Sequence, residues 1–360
     1  MTTRGWFDTP LRRANTIVVV LALAVAVVFP LFADAALTGV GFVALIYAIR
    51  NFTWNIAGGF VGLLSLAHAS AFGVGAFAVA VLAWGHGWNP WLAMLVGALA
   101  AAVLGLVTSL VMSRFGVNAF FYALGTMAIT LALQGVAASW DLLGAATGLQ
   151  NLGAEQGFAA LQWFLDPTPF YFIALTFLVL VTVGTALMMR RTRFGRSLPF
   201  IREDPVMAAS MGVPVVRNQA LAMAISMGLT AVPGTLMAQY VQFVSYDSVL
   251  TLEIGVAMLV GTIIGGAGTL AGPIVAGIGI AAVEELLRGL EVSSANVSSY
   301  TQIVYAVLVI AVLRFGAHGI VPMWESAIQR LSAPRRRPPS GDDPPLVSNP
   351  PPVSLSTGGG

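Results

Sequence analysis

Long apolar stretches separated by short polar segments dominate the chain. A transmembrane helix needs about 20 consecutive apolar residues to cross the hydrocarbon core of a bilayer. Five stretches reach this length singly, because each is uncharged and is bounded by arginine or by an acidic residue. The five predicted spans are Ala14–Ala33, Phe115–Trp140, Pro167–Met189, Asn218–Tyr246 and Val292–Leu313.

The distribution of charge between these stretches predicts their orientation. Arginine in short loops stays on the cytoplasmic side of a membrane. We therefore expect four arginine groups inside, with both termini cytoplasmic, and the acid-bearing segments outside. The inside groups are Arg4, Arg12 and Arg13; Arg114; Arg190, Arg191, Arg193, Arg196, Arg202 and Arg217; and Arg314, Arg330 and Arg335–Arg337. The outside residues are Asp34, Asp141, Glu155, Asp166, Asp247 and Glu291, with Trp84, Trp88 and Trp91 as an interfacial aromatic belt.

This orientation decides the number of crossings in the remaining regions. An odd number must join the outer Asp34 to the inner Arg114, and Leu37–Gly58, Phe60–Ala83 and Pro90–Ser113 supply three. An even number must join Asp247 to Glu291, where a glycine-rich break from Gly265 to Pro273 divides the apolar stretch into two short crossings or one re-entrant pair. The sequence therefore predicts an all-α polytopic transmembrane helical bundle of about ten spans.

The ends of the chain carry two further expectations. Arg12 and Arg13 before an apolar run that ends at Ala33 resemble a cleavable signal peptide, which is the alternative to a first span. Residues 331–360 are rich in proline, serine, arginine and glycine, so they predict a disordered cytoplasmic tail after a transmembrane domain over residues 1–330.

Composition agrees with a membrane protein and excludes several functions. Hydrophobic residues make up 58% of the chain and charged residues 9%, with a mean hydropathy of +0.86, whereas soluble domains carry about 25% charged residues. The chain has no cysteine and no lysine, so it lacks the lysine of a phosphate-binding P-loop. Any ATP hydrolysis would belong to another subunit, and no catalytic, cofactor or metal constellation is visible. The net charge of +2 indicates no nucleic-acid partner.

Two glycine-dense segments, one in each half of the chain, are the candidate functional sites. Non-helical backbone at membrane depth is tolerated where it is buried in protein or lines a water-filled path, and paired interrupted helices mark translocation sites. We predict broken helices at both, with close helix packing as the alternative. The first comprises Gly58 and Gly62 with Ser65 and His68, and the second comprises Gly265, Gly266 and Gly268 with Thr269 and Pro273. His68 is an ionisable group inside a span, for which a neutral packing role is the alternative to proton transfer.

The segment from Arg190 to Arg217 is too long for a simple connection. Its apolar spacing predicts a surface amphipathic helix that ends at Gly212 and Pro214. This helix would either lie on the lipid surface or present a docking face to a cytoplasmic partner. Arg50, near the inner end of the second span, is expected to reach the headgroups.

Three ordered motifs resemble the permease subunits of branched-chain amino-acid ABC transporters. Residues Asn55 to His68 are similar to the pattern NLLxGxxGxxSLGH, residues Gly195 to Val213 resemble a GRALRAIREN and AAEALGI loop, and residues Gly265 to Pro273 match GGxGTLxGP. Asn118 to Thr126 favour the M-type over the H-type subunit. Ala67, Gln219 and Gly144–Ala146 depart from the family pattern, the last in an outer loop.

The resemblance implies a type II importer permease in the bacterial inner membrane that carries branched-chain amino acids or related small solutes. Its implied partners are a second permease subunit, two cytoplasmic ABC ATPases, an extracytoplasmic solute-binding protein and the surrounding membrane lipids. It adds Asn55 to the translocation pathway. It also implies an ATPase-coupling set of Arg196, Arg202, Glu203, Asp204, Ala208, Ala209 and Gly212. An ion-gradient-driven secondary transporter of small polar solutes is the alternative function, although such a protein needs buried carboxylates or a proton relay.

Overall fold

A computed structural model describes residues 25–116, 119–153, 155–164 and 166–289. These residues belong to the first of two units, Met1–Met323 and Trp324–Gly360. The start of the predicted first span, the predicted span Val292–Leu313 and the predicted tail over residues 331–360 lie outside the described residues.

The described chain is a bundle of α-helices with one very short antiparallel strand pair, in which Leu149 pairs with Val244 and Gln150 with Phe243. Residues 25–32 are also helical. The helices are α1 (Ala35–Val61), α2 (His68–Val79), α3 (Pro90–Arg114), α4 (Ala119–Ser139), α5 (Thr168–Arg191), α6 (Arg193–Glu203), α7 (Pro205–Ser210), α8 (Val215–Val241), α9 (Tyr246–Val249), α10 (Leu252–Gly265) and α11 (Gly272–Gly289). A π-helical turn, Ala80–Gly85, continues α2, a 3-10 turn spans Asp141–Leu143, and the strands are β1 (Leu149–Gln150) and β2 (Phe243–Val244).

Seven helical segments of the described part are long and apolar enough to cross a membrane. They confirm the all-α polytopic fold, while the total of about ten spans stays a prediction. The predicted boundary between the second and third spans, at Gly59, is wrong. Helix α1 continues through it to Val61, and the left-handed residue that ends the helix is Gly62. Gly58 and Gly59 lie inside the helix, close to the side chains of Trp54 and Asn55.

Helix α8 is the centre of the bundle, and it packs against α3, α2 and α1. On α3, Ala93, Gly97, Ala101 and Gly105 recur every four residues and are all buried. Small residues at this spacing let helix backbones approach closely, which is the main packing device between helices in lipid. The remaining faces of α3 expose large apolar side chains, as expected for contact with lipid tails: Leu92, Leu95, Leu99 and Val103.

The predicted outer and inner residues separate to opposite ends of the bundle. At one end, the indole Nε1 of Trp91 donates to Phe158 O at 2.8 Å, in the acid-bearing segment between α4 and α5. Helix α8 separates the two ends, because Gln239 near its last turn bonds to Ala160 of that same segment, whereas Asn218 in its first turn donates to Ser197 of α6, the helix that carries Arg202. The two groups of residues that charge assigned to different sides of the membrane therefore lie apart in the fold.

Arg50 does not reach the headgroups as expected. It is 7% exposed, and its Cζ lies 3.6 Å from the centroid of the Tyr47 ring. Helix α1 packs against α5, α8, α10 and α11, so a side chain at this position points into protein. The aromatic face offers the guanidinium an electrostatic contact there.

Candidate functional site

Helix α1 ends at Gly62, the first predicted helix break. Gly62 has φ +84°, its N–H donates to Gly58 O at 3.1 Å, and Leu63 N–H donates to Ala57 O at 3.1 Å. The bond from Gly62 N–H to Gly58 O is that of an αL-type helix end, which requires a left-handed residue that glycine adopts without strain. Gly58 does not lie at the break as predicted. It lies inside α1, where a Cβ would come within 2.1 Å of the Trp54 ring.

The chain between α1 and α2 then runs back along α1 as non-helical backbone. The indole Nε1 of Trp54 donates to Ser65 O at 2.8 Å. On the other side, Leu66 N–H donates to Thr126 Oγ1 and Leu66 O accepts from Thr130 Oγ1, both at 3.0 Å. Side chains of α1 and α4 thus satisfy the backbone groups that an interrupted helix leaves open in an apolar environment.

His68 is the first residue of α2 and is 0% exposed. Its Nε2 lies 2.7 Å from Ser226 Oγ, and its Nδ1 lies 3.2 Å from Ser65 Oγ. The Ser226 hydroxyl donates to Thr53 O at 2.6 Å, so Nε2 must carry the proton in the bond to Ser226. Ser65 Oγ accepts from Ala67 N–H, which leaves its hydroxyl proton for Nδ1. This arrangement suits a neutral imidazole that fixes the start of α2 against α1 and α8.

The second glycine segment is a tight turn between α10 and α11. Gly266 and Gly268 have φ of 118° and 83°. Thr269 Oγ1 donates to Gly266 O at 2.7 Å and accepts from Gly272 N–H at 3.1 Å. A Cβ on Gly265 would lie 2.1 Å from Gly272 O, so the two helix ends meet at a distance that only glycine permits. Pro273 follows in the first turn of α11, where its missing N–H costs nothing.

Asn55 joins the two glycine segments, although 213 residues separate it from the second one. Its Oδ1 accepts from Gly268 N–H at 2.7 Å, and its Nδ2 donates to Thr269 O at 2.8 Å. The side chain is 0% exposed. A Cβ on Gly59 would lie 2.6 Å from Gly268 N, so the backbones of the two segments are in contact.

Arg202, which belongs to the motif of residues 195–213, contacts both glycine segments. Its Nη1 donates to Gly59 O at 2.5 Å and to Ala267 O at 3.2 Å. One guanidinium group therefore links α6 to the end of α1 and to the turn between α10 and α11. Three motifs that are distant in the sequence converge on one cluster of backbone carbonyls and amides. Arg202 is itself an exposed residue, and neither its spacing nor its charge indicated that its guanidinium group would reach these two carbonyl oxygens.

The rest of the coupling set occupies two short helices rather than the single predicted helix. Asp204 has extended backbone (φ −152°, ψ 104°), and its Oδ1 accepts from Val206 and Met207 N–H, which begins α7. Ala208 is 1% exposed, and Gly212 has φ +83° at the end of α7. Arg196, Glu203 and Ala209 are exposed. The apolar periodicity did not predict this division into two helices. Asp204 before Pro205 favours the start of a new helix, because aspartate caps the first N–H groups and proline fits the first helical position.

Several residues of the site were not identified from the sequence. Ser226, Thr126 and Thr130 supply hydrogen bonds to the interrupted segment and to His68. The only available signal was the spacing of four residues between Thr126 and Thr130, which places both hydroxyls on one face of a helix. Within the described ranges, no group of three histidine or acidic residues could hold a metal ion.

The chain is similar to known transport permeases over most of its length. The family model described as "Branched-chain amino acid transport system / permease component" matches residues 36–313. The high-affinity branched-chain amino acid transport system permease protein LivM of Escherichia coli K12 is 23% identical over 325 residues, which cover 84% of this chain and 74% of that protein. A probable branched-chain amino acid transport permease protein, LivH of Methanocaldococcus jannaschii, is 25% identical over 72% of this chain and 82% of its own length.

A shorter match concerns a permease for another solute. The galactose/methyl galactoside import permease protein MglC of Salmonella typhimurium is 30% identical over 149 residues, 41% of this chain and 43% of that protein. No solved structure matches the chain significantly.

Proposed function

Because the chain belongs to the family of branched-chain amino acid transport system permease components, we propose that it forms the translocation pathway of an ABC importer for branched-chain amino acids or related small solutes. The protein is an integral inner-membrane permease subunit. We further propose that it is the M-type subunit, works beside a second permease, and receives solute from an extracytoplasmic binding protein. Two cytoplasmic ATPases would supply the hydrolysis, with the arginine-rich end of the bundle facing them. Matches to two LivM proteins over 84% of the chain support the M-type assignment.

The contact of Arg202 with two backbone segments carries the proposed coupling. The segment formed by α6 and α7 exposes large apolar side chains that suit an ATPase surface: Phe200, Val206, Met207 and Met211. Its inner face is anchored by Leu198 and Ile201, which are 0% and 1% exposed. A displacement of this segment by an ATPase would pull on Gly59 O and Ala267 O through the guanidinium.

The elements linked by Arg202 are those in which a small displacement could open or close a path. Gly59 is near the end of α1, and Ala267 is in the turn that joins α10 to α11. In this proposal Asn55, Ser65 and His68 hold the pathway segments in register, and Gly62, Gly266 and Gly268 provide the backbone conformations. Arg202 is then a positioning residue that transmits movement, whereas Arg196 and Glu203 face the partner.

The coupling proposal is tested in proteoliposomes that contain the complete complex. Arg202→Gln removes the guanidinium group that donates to Gly59 O and Ala267 O, and hydrogen bonds to charged groups contribute about 1.5–3 kcal/mol each. We expect solute uptake and solute-stimulated ATP hydrolysis to fall by about tenfold or more, while the ATPase still co-purifies. Arg193→Gln, an exposed arginine of the same helix, is the matched control. Wild-type uptake by the Arg202 variant would reject the coupling role.

The solute and the partners require separate measurements. Affinity purification of the tagged chain should recover an ATPase with a lysine-containing P-loop, and its absence would argue for a secondary transporter. Uptake of labelled leucine should be inhibited by isoleucine and valine but not by galactose. Inhibition by galactose instead would indicate a sugar specificity, like that in the name of the relative with the shorter match.

A further inference from the structure

A polar cavity lies at the end of the bundle opposite Arg202, and the glycine segments take no part in it. Its volume is about 310 Å³, near the lower limit of ligand pockets, which suits a small molecule. Helix α8, the turn after α2 and the segment between α4 and α5 all contribute to its wall. The side chains that define it are those of Trp84, Trp88, Asn151, Glu155, Gln162 and Gln239.

Gln162 has a buried side-chain amide without hydrogen-bond partners, which suggests that a bound molecule supplies them. It is 2% exposed, and neither its Nε2 nor its Oε1 has a hydrogen-bond partner among the described residues. Buried amides are nearly always paired, because an unpaired donor or acceptor loses its water without compensation. The backbone around it is fixed by the bridge to Gly157, whose N–H donates to Gln162 O at 2.8 Å.

The two other amides of the wall make hydrogen bonds that hold their side chains in place. Gln239 Oε1 accepts from Trp84 Nε1 at 2.8 Å, and its Nε2 donates to Ala160 O at 3.3 Å. Asn151 Oδ1 accepts from Gly153 N–H at 3.0 Å. Gln162 is therefore the amide of this wall whose oxygen and nitrogen are both buried without a hydrogen-bond partner among the described residues.

The charge of the wall selects the kind of ligand. Glu155 is its acidic residue, and of the described residues that line the cavity none is cationic. Two indole rings, those of Trp84 and Trp88, also line it. A carboxylate with neighbouring aromatic rings favours a cation, whereas a lone anion would meet only repulsion.

We propose that this cavity binds a small molecule that carries a primary ammonium group on a short apolar body. The ammonium group pairs with Glu155, the apolar body lies against the tryptophan rings, and a polar group of the ligand pairs with the Gln162 amide. Amino acids and simple alkylamines both present this ammonium chemistry. The site is separate from the cluster around Arg202, so the proposal does not depend on the coupling function.

Calorimetric titration of the full-length protein in nanodiscs tests the proposal with three probes. They are 3-methylbutylamine, its anionic counterpart 4-methylpentanoate, and the zwitterion L-leucine. We expect saturable binding of the amine and at least about tenfold weaker binding of the anion, because Glu155 repels it. Binding of L-leucine would show that an amino acid is accepted, and its failure beside binding of the amine would restrict the site to cations.

Variants then assign the binding to the two proposed residues. Glu155→Gln should weaken amine binding about threefold to fivefold, as for a partly exposed ion pair. Gln162→Leu should weaken it about tenfold. Asp141→Asn removes a carboxylate from the same segment outside the cavity and should change nothing. Glu155 is exposed, so its variant remains informative if the Gln162 variant fails to fold.

Three outcomes would overturn the proposal. The first is equal binding of the anion and the amine, and the second is amine binding that neither variant weakens. The third is the absence of saturable heat for all three probes, which would mean that the cavity holds only water hydrogen-bonded to Gln162. None of these outcomes bears on the role of Arg202, which the uptake and ATPase measurements test.

Discussion

Replacement of Asn55 by leucine removes the side chain that joins the two glycine segments. Leucine has a similar size but can neither accept from Gly268 N–H nor donate to Thr269 O. Asn55 is 0% exposed, so water cannot readily replace the lost partner. The variant therefore leaves one backbone donor and one backbone acceptor without partners at the meeting point of α1 with the turn between α10 and α11.

The magnitude follows from these two bonds. Each hydrogen bond contributes about 0.5–1.5 kcal/mol net, and a buried group left unpaired costs about 1–3 kcal/mol. The two lost bonds are partly buried, so we expect a destabilisation of about 2–4 kcal/mol in total. A loss of this size lowers the midpoint of thermal unfolding by about 5 °C or more.

Asn51→Leu is the matched control on the same helix. Asn51 is 1% exposed and lies about one turn before Asn55, but its Oδ1 has no hydrogen-bond partner in the described part of the chain. Because this oxygen already lacks a partner, its replacement by an apolar group of similar size breaks no hydrogen bond at that atom and should cost less than the loss of the two Asn55 bonds. The two variants thus differ mainly in the bonds to Gly268 and Thr269.

The assay is thermal unfolding of each purified variant in the same detergent at one scan rate, because irreversible unfolding makes the midpoint depend on the rate. Uptake by the reconstituted complex is measured in parallel. Equal midpoints for the Asn55 and Asn51 variants would refute the reasoning that the Asn55 bonds hold the two segments together. A normal midpoint with lost uptake would instead assign Asn55 to transport alone.

Three further predictions concern packing, burial and orientation. Gly234→Ala should lower the unfolding midpoint, since a Cβ there would lie 2.0 Å from a backbone carbonyl oxygen of α2. The control is Gly184→Ala on α5, where a Cβ would meet nothing within 4 Å, and it should be neutral or slightly stabilising. Equal midpoints for the two variants would contradict the close packing of α2 on α8. Arg50→Met should leave the midpoint unchanged or raise it, because replacement of a buried charge by an apolar side chain of similar volume is often stabilising, and a fall of several degrees would show that the charge is needed. In intact cells, a membrane-impermeant thiol reagent should label Glu155→Cys but label Glu203→Cys only after permeabilisation, and the reverse pattern would invert the orientation.

Local sequence determined the approximate positions of most spans in the described part of the chain. Uncharged apolar runs of about 20 residues can only be spans in a chain of this composition, since the backbone must satisfy its own hydrogen bonds in lipid. Glycine density likewise located the positive-φ residues Gly62, Gly266 and Gly268. These features depend on the backbone preferences of neighbouring residues, which the sequence contains directly.

The sequence also identified residues whose roles it could not separate. Gly58 and Gly62 belong to one motif, but only Gly62, with φ +84°, ends the helix, whereas Gly58 lies inside it beside the ring of Trp54. The single amphipathic helix predicted within the segment of residues 190–217 is two helices in the structure, because Asp204 forms a cap that interrupts the periodicity. Both outcomes depend on side-chain packing around each position rather than on the pattern alone.

Only the tertiary structure decided which distant groups meet. Asn55 bonds to a residue 213 positions away, His68 to one 158 positions away, and Arg202 to Gly59 across 143 positions. Composition, periodicity and motif order contain no distances between such residues. The convergence arises from the close approach of helix backbones at glycine and other small residues, which brings polar groups of separate spans within hydrogen-bond reach where no water can substitute for them.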